Sequence, residues 1–179
     1  MNIHLFGASG SGTTTLGRLL AQRLGLPHLD ADDFFWERTE PPFIRIVPVA
    51  SRQERLRGAL SGHRGWVLSG SLTGWGDFLI PAFDRVVFLA LPSELRMARL
   101  MSRERRRYGD RIQEGGEMHA THRAFITWAE GYDGGGLDMR SRASHEAWMA
   151  KLPCPVLRLE GDLELEEKLS RVLAEMTVR

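Results

Sequence analysis

The chain has little of what staples, spans or anchors a protein. Its one cysteine, Cys154, excludes an internal disulfide and suits a reducing compartment. No stretch approaches the roughly 20 uncharged apolar residues that a membrane-crossing helix needs. Gly7, Ser9 and Gly10 interrupt the N-terminal apolar run too early for a secretory leader. Charge of one sign is not in excess, and the net value of +1 predicts no general attraction to nucleic acid or to a membrane surface. Lysine is nearly absent: of 24 basic residues only Lys151 and Lys168 are lysines. Positive charge is therefore arginine, whose planar fork of donors suits phosphate and carboxylate oxygens. The expectation is a cytoplasmic protein, monomer or homodimer, with no nucleic-acid or membrane partner.

The 179 residues are enough for one domain, and 42% hydrophobic content supplies a core without disulfides or metal staples. Short apolar strands alternate with amphipathic helices. Strands are expected at Ile3 to Phe6, ending at His28 to Asp30, at Trp66 to Ser69, at Arg85 to Leu91 and at Pro155 to Leu159. Helices are expected from about Thr14 to Leu24, around Gln53 to Leu60, after an N-cap at Ser93, from Glu117 to Glu130, from Ser141 to Leu152 and after Asp162. Tyr108 to Gly116 reads as a loop. Such alternation implies a parallel sheet covered on both faces, with ligands at the carboxyl ends of the strands. Charge is segregated. Glu94 to Arg111 holds seven arginines against three acids, and Glu160 to Glu175 holds six acids against two bases.

Gly7-Ala8-Ser9-Gly10-Ser11-Gly12-Thr13-Thr14 matches the phosphate-binding loop pattern at every fixed position except one. Its glycines let backbone N–H groups converge on phosphate oxygens, and the following helix adds its positive end. Thr14 stands where the pattern places its Mg²⁺-ligating hydroxyl, and Thr15 continues the helix. The departure is Thr13, which replaces a lysine that normally neutralises the terminal phosphates. Strand before and helix after give the loop its expected context; the competing reading is a Gly/Ser turn that binds nothing.

On these residues the chain resembles the adenylate kinase-related P-loop kinases, which include nucleoside monophosphate, shikimate and gluconate kinases. More narrowly, the GSGTTT loop and the Arg107-Tyr108-Gly109-Asp110-Arg111 segment are similar to bacterial adenylate kinase-like ATPases. The resemblance covers nearly the whole length. It implies an α/β fold, the P-loop NTPase three-layer sandwich: a five-stranded parallel sheet with helices on both faces and an arginine-bearing lid. One domain, 1–179, would contain the lid at about 103–131. It also implies phosphoryl transfer from Mg·ATP to a small-molecule acceptor, with ATP and Mg²⁺ as cofactors and Gly7, Ser9, Gly10, Ser11, Gly12, Thr13, Thr14 and Thr15 around the nucleotide.

Asp30, Asp32 and Asp33 follow the second strand, and the D-x-D spacing puts Asp30 and Asp32 on one side of an extended segment. In the resembling kinases carboxylates here bind the acceptor hydroxyl or the metal's waters, which makes Asp32 the candidate for polarising an acceptor and Asp30 the second. A helix cap through Phe34 to Trp36 is the alternative. Arg99, Arg103 and Arg107 lie four apart, on one face of a helix. In the segment resembling the lid, Arg103 and Arg107 are candidates to stabilise the transferring phosphate and to replace the missing lysine, with Arg111 next; a solvated face paired with Glu94 and Glu104 is the alternative. Nucleoside monophosphate kinases usually carry Asp-Gly-Phe-Pro-Arg after the third strand. Here Ser69 takes the aspartate position and Thr73 the arginine position, which argues against a monophosphate acceptor and leaves Gly70 and Ser71 for close approach and hydrogen bonding. Arg45, among Pro41, Pro42 and Pro48, is a candidate for an anionic acceptor. His119 and His122, spaced H-x-x-H, are too weak a pattern for a zinc site, since no cysteine or nearby third ligand accompanies them. The leading reading is a small-molecule kinase; the alternative is a nucleotide-binding protein or weak ATPase with little transferase activity.

Overall fold

Side chains of β1 (Asn2–Gly7) alternate between two cores: Ile3 and Leu5 enter one, while His4 and Phe6 stack together in the other. In this computed structural model, which describes residues 1–177, β1 lies at the centre of a sheet ordered β2-β3-β1-β4-β5. The other strands are β2 (His28–Asp30), β3 (Trp66–Ser69), β4 (Arg85–Ala90) and β5 (Val156–Glu160). Each neighbouring pair is parallel. Register sets Leu5 beside Ser69, Ser69 beside Asp30, and Gly7 beside Leu89. The loops that leave β1, β2, β3 and β4 therefore gather on one edge.

Two layers of helix cover the sheet. Leu16, Leu20 and Ala21 of α1 (Thr13–Leu24) and Leu169 and Val172 of α7 (Leu165–Thr177) close the core that holds Ile3 and Leu5. Leu56 and Leu60 of α3 (Val49–Leu60) and Trp148 and Met149 of α6 (Arg142–Met149) close the other. A third, smaller core joins Met97 and Leu100 of α4 (Ser93–Tyr108) to Phe125, Ile126, Trp128 and Ala129 of α5 (His119–Glu130). The arginine-rich helix thus has apolar support of its own. None of the described helices is long and apolar enough to cross a membrane.

Several local expectations are corrected. Pro92 is the N-cap of α4, and Ser93 is its first residue, whose hydroxyl accepts from the Arg96 guanidinium at 3.2 Å. Proline cannot donate and suits that entry. The segment from Tyr108 to Gly116 is not wholly a loop, because Gly109–Ile112 forms a 3₁₀ turn. Asp77–Ala82 is another 3₁₀ turn, one that apolar periodicity does not signal. Ser141 caps α6 rather than joining it, through a reciprocal box in which Ser141 Oγ accepts from the Ser144 N–H at 2.9 Å and Ser144 Oγ from the Ser141 N–H at 2.8 Å. Asp32–Phe35 forms a four-residue helix, α2, and Ala31 rather than an aspartate stands at its N-cap.

Helix α1 sits against β3 because Gly17 has no side chain. A Cβ there would fall on the Ser69 hydroxyl and press on the His28 ring. Ser69 is fully buried; its hydroxyl donates to the Thr13 carbonyl at 3.1 Å and meets His28 Nε2 at 2.9 Å. The hydroxyl has one proton, so His28 must donate from Nε2. Gly17→Ala is expected to lower stability by about 1–3 kcal/mol through overpacking. Ser69→Ala in the same chain removes the atom that the methyl strikes and should recover part of the loss. Denaturant midpoints of the single and double variants check this; a fully stable Gly17→Ala protein would mean that α1 does not rest on Ser69.

Candidate functional site

Between β1 and α1 the chain turns through Gly7 to Gly12, with the Ser11 N–H donating to the Ala8 carbonyl at 3.1 Å. Gly12 is the N-cap of α1 at φ 92°, in the left-handed region that a side chain rarely adopts. No side chain caps this helix and its first turn holds no acidic residue. The N–H groups of that turn have no carbonyl partner within the helix, and with the helix dipole they form an anion-binding end. Ser9, Gly10, Thr13 and Thr14 are half-buried, and Thr15 is exposed. Ser11 is buried, and its hydroxyl lacks a partner.

Thr14 Oγ1 donates to the Asp30 carboxylate at 2.7 Å. The other Asp30 oxygen accepts from the Asp32 N–H at 3.1 Å, so one carboxylate links the loop helix to the start of α2. A threonine hydroxyl and a carboxylate are the hard oxygen donors that Mg²⁺ takes, usually one or two from protein with the rest from water and phosphate. Among the described residues no group of three or more His, Cys, Asp or Glu could hold a metal ion. The pair fits magnesium brought in with phosphates rather than a metal held in an all-protein cage. Asp32 is exposed to solvent on one side, with protein crowding its carboxyl on the other. That crowding raises its carboxyl above the ordinary value; Arg140 opposes the rise, Asp30 adds to it, Arg103 opposes it and Asp33 adds.

Gly70 and Ser71 stand at the same edge. The Gly70 N–H is spent on the Leu5 carbonyl at 2.9 Å. Ser71 Oγ meets His145 Nε2 at 3.2 Å, and His145 Nδ1 meets the Tyr132 hydroxyl at 2.9 Å. Burial, with Arg140 nearby, pushes His145 down to about 3. The imidazole is therefore neutral; because Ser71 Oγ donates to Thr73 Oγ1 at 3.1 Å, His145 donates to Ser71 from Nε2 and accepts from Tyr132 at Nδ1. Arg96, fully buried, lies with its guanidinium 5.0 Å from the Tyr132 ring centre and binds Asp133 at 2.7 Å and the Ala129 carbonyl at 2.8 Å. One polar chain thus runs from the loop after β3 to the base of α5.

The residues singled out from sequence divide into two groups. Gly7 through Thr15, Asp30, Asp32, Gly70 and Ser71 are brought together at the sheet edge. Arg45 is not: it is exposed and paired with Glu37 at 3.1 Å. Arg107 is exposed, 5.9 Å from the Tyr108 ring centre. Arg103 is held by buried Glu104 through two bonds of 3.1 and 2.9 Å, although Asp32 feels its charge. Arg111 pairs with Glu40 and, at 2.6 Å, with Glu117.

Two arginines were missed. The Arg52 guanidinium lies 4.1 Å from the Phe35 ring centre and 5.7 Å from that of Trp75, with Nε donating to the Val47 carbonyl at 2.5 Å. Its signal was readable, since Arg52, Leu56 and Leu60 follow one another at four-residue spacing down the buried stripe of α3. Arg140 faces Asp32 and Asp30 and lies 5.4 Å from the Trp128 ring centre. It precedes the α6 cap, outside any periodic pattern, and no sequence signal marks it.

Comparison with known proteins agrees with this architecture. No family model matches the chain. The uncharacterized protein YqaC of Bacillus subtilis (strain 168) is 44% identical over 172 residues, 96% of this chain and 95% of that protein. Shikimate kinase of Actinobacillus pleuropneumoniae serotype 5b (strain L20) is 37% identical over 84 residues, which is 44% of this chain and 47% of that enzyme. Among solved structures, shikimate kinase from Acinetobacter baumannii in complex with shikimate superposes with a TM-score of 0.57 at 20% identity, over 99% of this chain and 95% of that one. At that identity the superposition speaks for the fold. With near-complete coverage of YqaC at 44% identity the chain belongs to the YqaC family, and its five-stranded parallel sheet with helices around it matches the P-loop fold of the shikimate kinases.

Proposed function

We propose that the protein transfers the terminal phosphoryl group of Mg·ATP to a hydroxyl group of a small-molecule acceptor. The observation that carries this reading is the 2.7 Å bond between Thr14 and Asp30. It sets a hydroxyl and a carboxylate beside the uncapped N-terminus of α1, where phosphate oxygens and a hard cation would meet. Thr14, with Asp30 beside it, would hold magnesium, which when bound would neutralise charge on the phosphates. The loop N–H groups orient the triphosphate. Asp32 orients the acceptor and takes its proton as the acceptor oxygen bonds to the γ-phosphorus; the bond from that phosphorus to the bridging oxygen breaks, and ADP leaves. No covalent enzyme intermediate is needed, because positioning and electrostatics suffice. Residues 103–131, within a single domain, would close over the phosphates as a lid. On the acceptor side, α2 brings Phe35 against Arg52 and Trp75, a wall of flat apolar faces around one cation.

Thr13 supports a second reading, a nucleotide-binding protein or weak ATPase. Loss of one strong charged contact costs on the order of 3 kcal/mol of transition-state stabilisation, about a hundredfold in rate. Calorimetric titration of Mg·ATP, followed by a screen for phosphorylated acceptors, separates the two: binding with transfer supports the kinase, binding without transfer the module.

Two substitutions test the site. Gly12→Val places a β-branched side chain at positive φ, and it should abolish Mg·ATP binding by calorimetry while the far-ultraviolet spectrum is kept; unchanged affinity would sink the loop assignment. Asp32→Asn should lower transfer by about 10²- to 10⁴-fold. The same variant should also be more heat-stable near neutral pH. The folded state raises the Asp32 carboxyl, so it favours the protonated form, and ionised Asp32 opposes folding at pH above that raised value. The gain in unfolding temperature should shrink as pH falls below that raised value and be gone below the ordinary carboxylate value of about 4. A variant that transfers normally and melts at the wild-type temperature throughout would remove Asp32 from this role.

A further inference from the structure

Thr13 leaves the loop without the side-chain cation that its pattern aims at the terminal phosphates. Neither lysine of the chain replaces it. Lys151 binds Asp77 at 3.3 Å, and Lys168 is buried on α7 with Arg99, Asp162, Glu164 and Glu167 as its charged neighbours. Of the arginines that sequence offers, four are paired elsewhere: Arg96 to Asp133, Arg99 to Asp162 at 2.5 Å, Arg103 to Glu104, and Arg111 to Glu40 and Glu117; Arg107 is exposed beside the Tyr108 ring at 5.9 Å.

Arg140 is placed differently. It is half-buried, and among the described residues its guanidinium makes no hydrogen bond and no ion pair. The ring of Trp128 backs it at 5.4 Å, and the carboxylates it faces are Asp32 and Asp30. Asp30 is the residue bonded to Thr14 in the first turn of α1, so the Arg140 charge is felt at the carboxylate that adjoins the loop end of that helix. Both flanks of Arg140 are anchored. The Arg142 N–H donates to the Tyr132 carbonyl at 2.8 Å, and Ser141 Oγ donates to the Gly136 carbonyl at 2.6 Å. Burial holds its pKa below the usual guanidinium value, with Asp32 as the leading opposing charge. A half-buried guanidinium whose donors are unspent within the protein is open to charge-assisted bonds with an anion.

We infer that Arg140 supplies the cation that Thr13 withholds, by meeting the terminal phosphate oxygens of a nucleoside triphosphate seated on the Gly7–Thr14 loop. This rests on the nucleotide-binding reading above and adds the group that neutralises the terminal phosphate. In the usual arrangement that charge rises from the loop itself. Here it arrives from the segment between α5 and α6, so discrimination between triphosphate and diphosphate belongs to that segment rather than to the loop.

The test uses the full chain as wild type, Arg140→Met, Arg140→Lys, Thr13→Lys and the Thr13→Lys/Arg140→Met double variant, with calorimetric affinities for Mg·ATP and Mg·ADP. Charge-assisted contacts of this kind predict that Arg140→Met loses about 10- to 100-fold in ATP affinity with ADP affinity nearly unchanged. Arg140→Lys should keep part of the preference, and Thr13→Lys should restore it in the Arg140→Met chain. A wild-type protein that binds ATP, with an ATP-to-ADP preference unaltered in both Arg140 variants, overturns the inference and leaves the nucleotide reading standing. Equal losses for both nucleotides, or no rescue by Thr13→Lys, also overturn it, because they make Arg140 a general support of the cleft. Failure of the wild-type protein to bind either nucleotide removes the nucleotide reading and this inference together.

Discussion

Parallel pairing of β1 with both β3 and β4 is the constraint on which the rest of the molecule hangs. With all strands pointing one way, the chain must leave each at the same edge and return through a helix on a face. The groups with chemical use are carried on those exits. Gly7 opens the glycine-rich loop, Asp30 ends β2 opposite Ser69, and Ser69 leads to Gly70 and Ser71. A carboxylate and a threonine hydroxyl sixteen residues apart in the chain reach 2.7 Å because their elements flank the same strand ends.

Buried polar groups then hold the exits in place. Ser69 occupies the position where related kinases that act on nucleoside monophosphates carry an aspartate, and here it braces instead: its hydroxyl joins the Thr13 carbonyl to His28 in the space that Gly17 leaves open. Ser71, His145 and Tyr132 form a second neutral chain that reaches the base of α5, where buried Arg96 gathers Ala129 and Asp133. Such networks specify one arrangement, although the buried Arg96 Nε has no hydrogen-bond partner. Between them stand the carboxylates of Asp30, Asp32 and Asp33 and, without an ion pair among the described residues, Arg140 from beyond α5.

What the sequence by itself determined is local and periodic. Strand and helix alternation, the helical faces of α1 and α4, and the glycine spacing of the loop depend on neighbours within a few residues, and all three are present in the fold. The D-x-D pair was legible for the same reason: its position after a strand sets its edge. The arginines were not legible. Arg103 and Arg107 share a helix face with Arg99, but spacing cannot say that buried Glu104 holds the first or that the second lies against Tyr108. Arg45 looked suited to an anion, yet Glu37, brought near through the pairing of Trp36 with Ile46, occupies it. Arg140 carried no signal at all. Its meaning comes from the Trp128 ring beside it and from the charges of Asp32 and Asp30, which stand on elements distant in the chain. A charge acts through the groups it approaches in space, and only the tertiary structure decided which arginine was already paired and which still faced the cleft.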